Sequence, residues 1–251
     1  ANGHVYTKRF DSSQSGGGGS SAAKKSIKIL FLGNSVTQDH ATYLPWLLKN
    51  TYGENNIEFA ISIFYCGGSS GTIKEYATTI ADGNRNAEIF SSVVNTDVWT
   101  NETDISLDTA LARQEWDVIS IQGWANGTNE DVTYIPTLIE KLTTKMNHPF
   151  ELAYLINQTP SAKPTVLVNT AKQVCRDYSI SMLFPPALVT EYARQAWGTE
   201  FISPDGGHNR EGLPCIMTAY SIMLILCRRM GLWDAVIGNE LRITAAEIER
   251  M

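Results

Sequence analysis

The chain has 251 residues, 43% of them hydrophobic and 18% charged, with a formal net charge of −6. That is enough apolar content for one α/β domain with a real core, and no run of roughly 18 apolar residues is present to span a bilayer as a helix. Lysines and arginines are scattered without a basic stripe, so neither nucleic acid nor an anionic membrane is the expected partner, and a neutral or weakly polar ligand fits better.

In chain order, residues 1–25 contain Asp11-Ser-Ser-Gln-Ser-Gly-Gly-Gly-Gly-Ser-Ser-Ala-Ala. Such a Gly/Ser segment buries no apolar surface and reads as a flexible tether or tag, one that would connect a neighbouring domain. Residues 26–251 read as one domain. From Ile27 onward short β-rich runs alternate with amphipathic stretches, the pattern of a parallel sheet flanked by helices. Strands are expected near 27–32, 57–63, 117–122, 150–156 and 180–184. Helices are expected at about 42–51, 70–81, 106–114, 132–147, 163–177, 186–197 and 211–230, with a last one from Thr244. The most apolar stretch, Leu213 to Leu226, is interrupted by Pro214, Thr218, Tyr220 and Ser221 and reads as a buried helix. Residues 84–105 show few periodic apolar positions and are expected to form a surface excursion. The fold class is therefore α/β: a three-layer α/β/α sandwich with a central parallel five-stranded sheet, whose crevice lies beyond the carboxyl ends of the strands.

Two distant segments carry chemistry. Ile27-Lys-Ile-Leu-Phe-Leu-Gly-Asn-Ser-Val-Thr delivers Ser35 at the end of the first strand and the start of a helix, where backbone N–H groups and the helix dipole favour negative charge. Ser203-Pro-Asp-Gly-Gly-His delivers Asp205 and His208 on a glycine-softened loop. Together they supply a nucleophile, a base and an orienting carboxylate. Read singly, Ser35 or Thr37 is a helix N-cap, Asp205 a turn residue and His208 a loop histidine. Of the other histidines, His4 lies in the tether, and His40 and His148 have no acidic partner at comparable spacing. Asp39, beside the nucleophile segment, reads as a brace for the first helix with no chemical duty.

The order of Ser35, then Asp205-Gly-Gly-His208 near the C-terminus, resembles the SGNH (GDSL-like) hydrolase superfamily over residues 27 to about 230. Its usual Gly-Asp-Ser block stands here as Gly33-Asn34-Ser35, and that variant, followed by Tyr43-Leu-Pro, is similar to a branch found largely in bacterial sequences. The resemblance implies an SGNH/flavodoxin-like fold, hydrolysis without metal or cofactor, and often deacetylation of carbohydrates. It further implies an oxyanion hole from the Ser35 N–H, a glycine N–H and an asparagine side chain. For the glycine, Cys66-Gly67-Gly68-Ser69-Ser70-Gly71 offers Gly68, with Gly71 in competition. The family asparagine is missing from its register: Val118-Ile-Ser-Ile121 runs into Gln122-Gly123-Trp124-Ala125-Asn126, so the amide donor is Gln122 or Asn126, with Gln122 favoured by its place at the strand end. Tyr65 and Trp124 offer aromatic faces to a sugar ring or acyl group, and Asn126 lies beside them.

The expected function is a serine esterase cleaving short-acyl esters, acetyl above all, on a small molecule or polysaccharide, with the protein secreted, periplasmic or at the surface of a bacterium. An unperturbed histidine titrates near 6.5, so a His208 base implies activity that falls in acid. Two other readings remain open: a carbohydrate-binding or assembly module of the same fold with a lost oxyanion hole, and a phosphate cradle built on Gly33-Asn34-Ser35-Val36-Thr37.

Overall fold

The structure is a computed structural model that describes residues 25–52, 57–67, 71–123, 129–157, 164–203 and 207–229. The tether, Gly68, Trp124, Asn126, Asp205 and the helix expected from Thr244 lie outside the described residues.

Alternation of apolar residues on both faces builds the central strand. In β1 (Lys25–Gly33), Ile27, Ile29 and Phe31 enter one core while Leu30 and Leu32 enter the other, the period-two division of a strand covered on both sides. β1 pairs in parallel with β2 (Ile57–Tyr65) on one edge and with β5 (Val118–Gly123) on the other. β6 (Glu151–Ile156) and β7 (Met182–Phe184) continue the parallel array beyond β5. All five expected strands are therefore present. The strand order reverses about β1, which places the topological switch point, and with it the crevice, at the carboxyl end of β1.

The sheet differs from the expected all-parallel, five-stranded one. Residues 84–105 do not form a surface excursion: β3 (Ala87–Ser92) pairs antiparallel with β2, and β4 (Trp99–Ile105) pairs antiparallel with β3, giving a mixed seven-stranded sheet ordered β4-β3-β2-β1-β5-β6-β7. The reason lies in what holds these strands. Residues 100–104 of β4 are polar and exposed, so no apolar alternation marks it. Side-chain hydrogen bonds add to the few apolar anchors, Ala87 and Ile89 of β3 and Trp99 and Ile105 of β4: the Ile61 N–H donates to Ser92 Oγ at 3.0 Å, and Ser62 Oγ meets Ser91 Oγ at 2.9 Å. Glu102 and Asp104 leave a charged edge that discourages pairing with another chain.

The helices follow the expected spans with local subdivisions. The first is preceded by a separate short α1 (Ser35–Ala41), which leads into α2 (Leu44–Tyr52). The stretch expected at 70–81 consists of α3 (Ile73–Glu75) and a π-helical turn, Tyr76–Ile80. α4 (Leu107–Ala112) comes next, and the span at 132–147 divides into α5 (Asn129–Val132) and α6 (Ile135–Lys145), with Pro136 in the first turn of the latter. α7 (Pro164–Asp177), α8 (Pro186–Trp197) and α9 (Leu213–Arg229) complete the layers. α9 lays Ile216, Ala219, Ile222, Met223 and Leu226 against the face of Ile29 and Phe31, the stripe of a buried helix. Among the described residues no helix is long and apolar enough to cross a membrane.

The π-helical turn has a positional consequence. It points Tyr76 at the carboxyl ends of β1 and β2, where its hydroxyl proton is shared between the carbonyls of Phe64, at 2.7 Å, and Gly33, at 2.9 Å. Burial holds this phenol well above its ordinary pKa, so it remains a donor. Tyr76→Phe should lower unfolding stability by about 1–2 kcal/mol, read as a fall in urea midpoint with an unchanged slope.

Candidate functional site

The turn that leaves β1 is built from a glycine and the side chains of Asn34, Thr37 and Gln122. Gly33 is a glycine for reasons of space: a Cβ there would stand 2.6 Å from Thr37 Cβ and 2.7 Å from Gln122 Oε1. Asn34 is the N-cap of α1, its backbone extended and its Oδ1 accepting the Val36 N–H at 3.1 Å. Gln122, at the end of β5, accepts the Asn34 N–H at 3.1 Å and the Thr37 hydroxyl, both on Oε1. The cap is thus Asn34, and Ser35, as the first helical residue, keeps its hydroxyl free of capping duty. Its own N–H has no acceptor within the helix.

That hydroxyl meets a histidine from 173 residues further along: Ser35 Oγ lies 3.2 Å from His208 Nε2. The other ring nitrogen, Nδ1, lies 3.0 Å from Oδ2 of Asp39, and the Asn209 N–H donates to that same oxygen at 3.0 Å. The segment carrying His208 is clasped in turn. Ser203 N–H donates to the His208 carbonyl at 2.9 Å, Ile202 bridges Asn209, and Asn209 Oδ1 accepts from Thr190 of α8 at 3.2 Å. The side chains of His208 and Asp39 are 32% and 18% exposed, open enough for a substrate yet flanked by protein. Ser35 and His208, the expected nucleophile and base, therefore lie within hydrogen-bond distance of each other. Asp39, expected to have no chemical duty, faces the other ring nitrogen of His208. Its signal was available: it lies four residues after Ser35, on the same face of a helix that begins at Ser35.

The remaining expected residues divide. Gly71 donates its N–H to Glu75 Oε2 at 2.9 Å, which occupies the group an oxyanion would need. Gln122 does more than was expected of it, since its oxygen braces the turn that carries Ser35; its Nε2 is buried and has no hydrogen-bond partner among the described residues. Tyr65 ends β2 partly buried, edge-on to Phe90 with ring centroids 5.6 Å apart. The phosphate-cradle reading does not survive, because Thr37 is 1% exposed and its hydroxyl is given to Gln122. Among the described residues no group of histidines, cysteines and acids is arranged to hold a metal ion. The thiols are unsuited to a nucleophile's part: burial raises Cys66 to about 11 and Cys215 to about 12, so both stay protonated.

Next to Asp39 in α1, His40 is wholly buried, and among the described residues neither of its ring nitrogens has a hydrogen-bond partner. Burial, and then the nearness of His208, lower its pKa from 6.5 to about 3. Its folded form thus resists protonation that the unfolded chain accepts, so stability is full above the unfolded value of 6.5 and is lost as pH falls toward about 3. Replacing His40 with Gln should flatten the fall in urea midpoint between pH 6.5 and 4.

Comparison with known proteins bears on the frame around this site. The family model described as Domain of unknown function (DUF4886) matches residues 28–194, a span that contains Ser35, Asp39 and Gln122. A DUF4886 family protein from Bacteroides uniformis has a crystal structure similar to this one, with a TM-score of 0.68, 18% identity, and coverage of 86% of this chain and 85% of that one. The lipase Lip_vut3 from a goat rumen metagenome is similar at a TM-score of 0.50 and 11% identity, covering 79% of this chain and 97% of that one. At such identities the likeness is one of fold. No curated protein matches the chain.

Proposed function

The chain belongs to the DUF4886 family, and on that premise we propose that it is a serine ester hydrolase of the SGNH (GDSL-like) type. The observation that carries the reading is the 3.2 Å approach of Ser35 Oγ to His208 Nε2 at the switch point of the sheet. Its likeness in fold to a lipase supports the same reaction class. In this reading His208 takes the Ser35 proton as Oγ attacks the ester carbonyl, then returns it to the leaving alcohol. The acyl group stays on Ser35 until water, deprotonated by His208, displaces it.

The developing oxyanion lies against the N–H of Ser35 at the positive end of α1, with the Gly68 N–H as the second donor. Gln122 serves the oxyanion in two ways. Its oxygen fixes the turn that aims the Ser35 N–H, and its Nε2 is the side-chain donor not taken by that turn. The substrate class we propose is a short-acyl ester, acetyl above all, on a carbohydrate, with the aromatic faces of Tyr65 and Trp124 beside the sugar. We place the protein outside the cytoplasm of a bacterium, where such glycans are met.

Hydrolysis of p-nitrophenyl acetate by the purified protein, beside Ser35→Ala and His208→Ala, tests the reading. Turnover should be lost in both variants, by on the order of 10³-fold or more. Gln122→Leu should lose on the order of 10²-fold to 10³-fold. Acetylated glycan bound but never cleaved, with binding indifferent to Ser35→Ala, would instead make the protein a carbohydrate-binding module.

A further inference from the structure

We propose that Asp39, from the same short helix as Ser35, is the carboxylate that holds His208 in its working tautomer, the duty that the Asp-x-x-His pattern assigns to Asp205. The inference rests on the serine-hydrolase reading for its consequence, though not for its geometry.

A neutral imidazole carries one proton. For Nε2 to accept the Ser35 proton, that one must reside on Nδ1, whereas free histidine in water prefers it on Nε2. A site that uses Nε2 as base therefore needs an acceptor at Nδ1, and an ionised carboxylate can only accept. Asp39 Oδ2 stands 3.0 Å from His208 Nδ1, so the contact is Nδ1–H donating to carboxylate, and the lone pair of Nε2 faces Ser35. During attack the Asp39 carboxylate stabilises the imidazolium that forms.

The carboxylate is itself held. The Asn209 N–H bonds the same oxygen from the residue next to the base, so the main chain beside His208 is registered on Asp39 along with the ring. Helix geometry supplies the spacing. Four residues at the α-helical rise separate Ser35 from Asp39 by about 6 Å along the axis, on one face of the helix, near enough for both side chains to reach the two nitrogens of one imidazole. Of the titratable groups close to this pair, His40 of α1 is buried neutral, and Cys215 of α9, close to Asp39, is a protonated thiol. Asp205 lies outside the described residues.

The experiment compares the parent protein with Asp39→Ala, Asp205→Asn and Ser35→Ala, by ¹⁵N NMR of the His208 ring in its neutral form and by steady-state hydrolysis of p-nitrophenyl acetate. Asp39→Ala removes the acceptor that faces Nδ1, which an asparagine would keep, since the ring and the Asn209 N–H share one oxygen. It should lose the Nδ1–H tautomer and lower kcat on the order of 10²-fold to 10⁴-fold with KM little moved. Asp205→Asn should keep the tautomer and lose less than about tenfold. An Nδ1–H tautomer that persists in Asp39→Ala, or that disappears in Asp205→Asn instead, overturns the proposal. If Asp39→Ala does not fold, the parent decides, since a neutral His208 protonated on Nε2 excludes an Nδ1–H bond to Asp39. Turnover surviving in Ser35→Ala would sink the esterase reading, while the tautomer would still decide the part of Asp39.

Discussion

One carbonyl oxygen, Gln122 Oε1, joins the sheet to the reactive turn. It takes the Asn34 N–H and the Thr37 hydroxyl together, so the residue before the nucleophile and the residue two after it hang from the end of a neighbouring strand. Buried amide bonds of this kind contribute about 1 kcal/mol each to stability, but their larger effect is geometric. β5 is anchored to β1 by its own ladder, from Ile29↔Val118 to Leu32↔Ile121, and the side chain extends that register past the last paired residue. Gly33 is small because Gln122 and Thr37 occupy the room a side chain would need.

From the other side, Tyr76 and the Cys66 N–H both bond the Gly33 carbonyl, tying the same turn to β2. The switch point is thus held by its two flanking strands, and a small loop carrying the base closes over it. In the proposed acyl transfer, preorganisation comes from backbone groups and neutral side chains, with Asp39 as a charged member.

Much of this was readable in the residues, and the failures have physical causes. The five parallel strands are legible because both faces of each are buried, which forces runs such as Ile27-Lys-Ile-Leu-Phe-Leu. β3 and β4 are not, because an edge strand with Thr100 to Asp104 facing solvent leaves no apolar period to read. Ser35 and His208 announce themselves through glycine-flanked blocks at loop ends. Asp39 was passed over because a carboxylate one turn into a helix looks like any solvated or capping acid, and only the three-dimensional return of the chain sets a histidine against it. The bracing role of Gln122 was hidden for a similar reason: the sequence marks a strand end, not the direction in which its amide points.

The contact between Ser35 and His208 bridges 173 positions, with nearly the whole sheet in between. As the chain leaves a ribosome, Ser35 and its strand emerge well before His208, which arrives after β7 and α8 have been made. Until then Ser35 is an ordinary alcohol. In the proposed reading the reactive centre therefore forms only once all seven strands of the sheet exist, and its chemistry reports that they have been correctly wound.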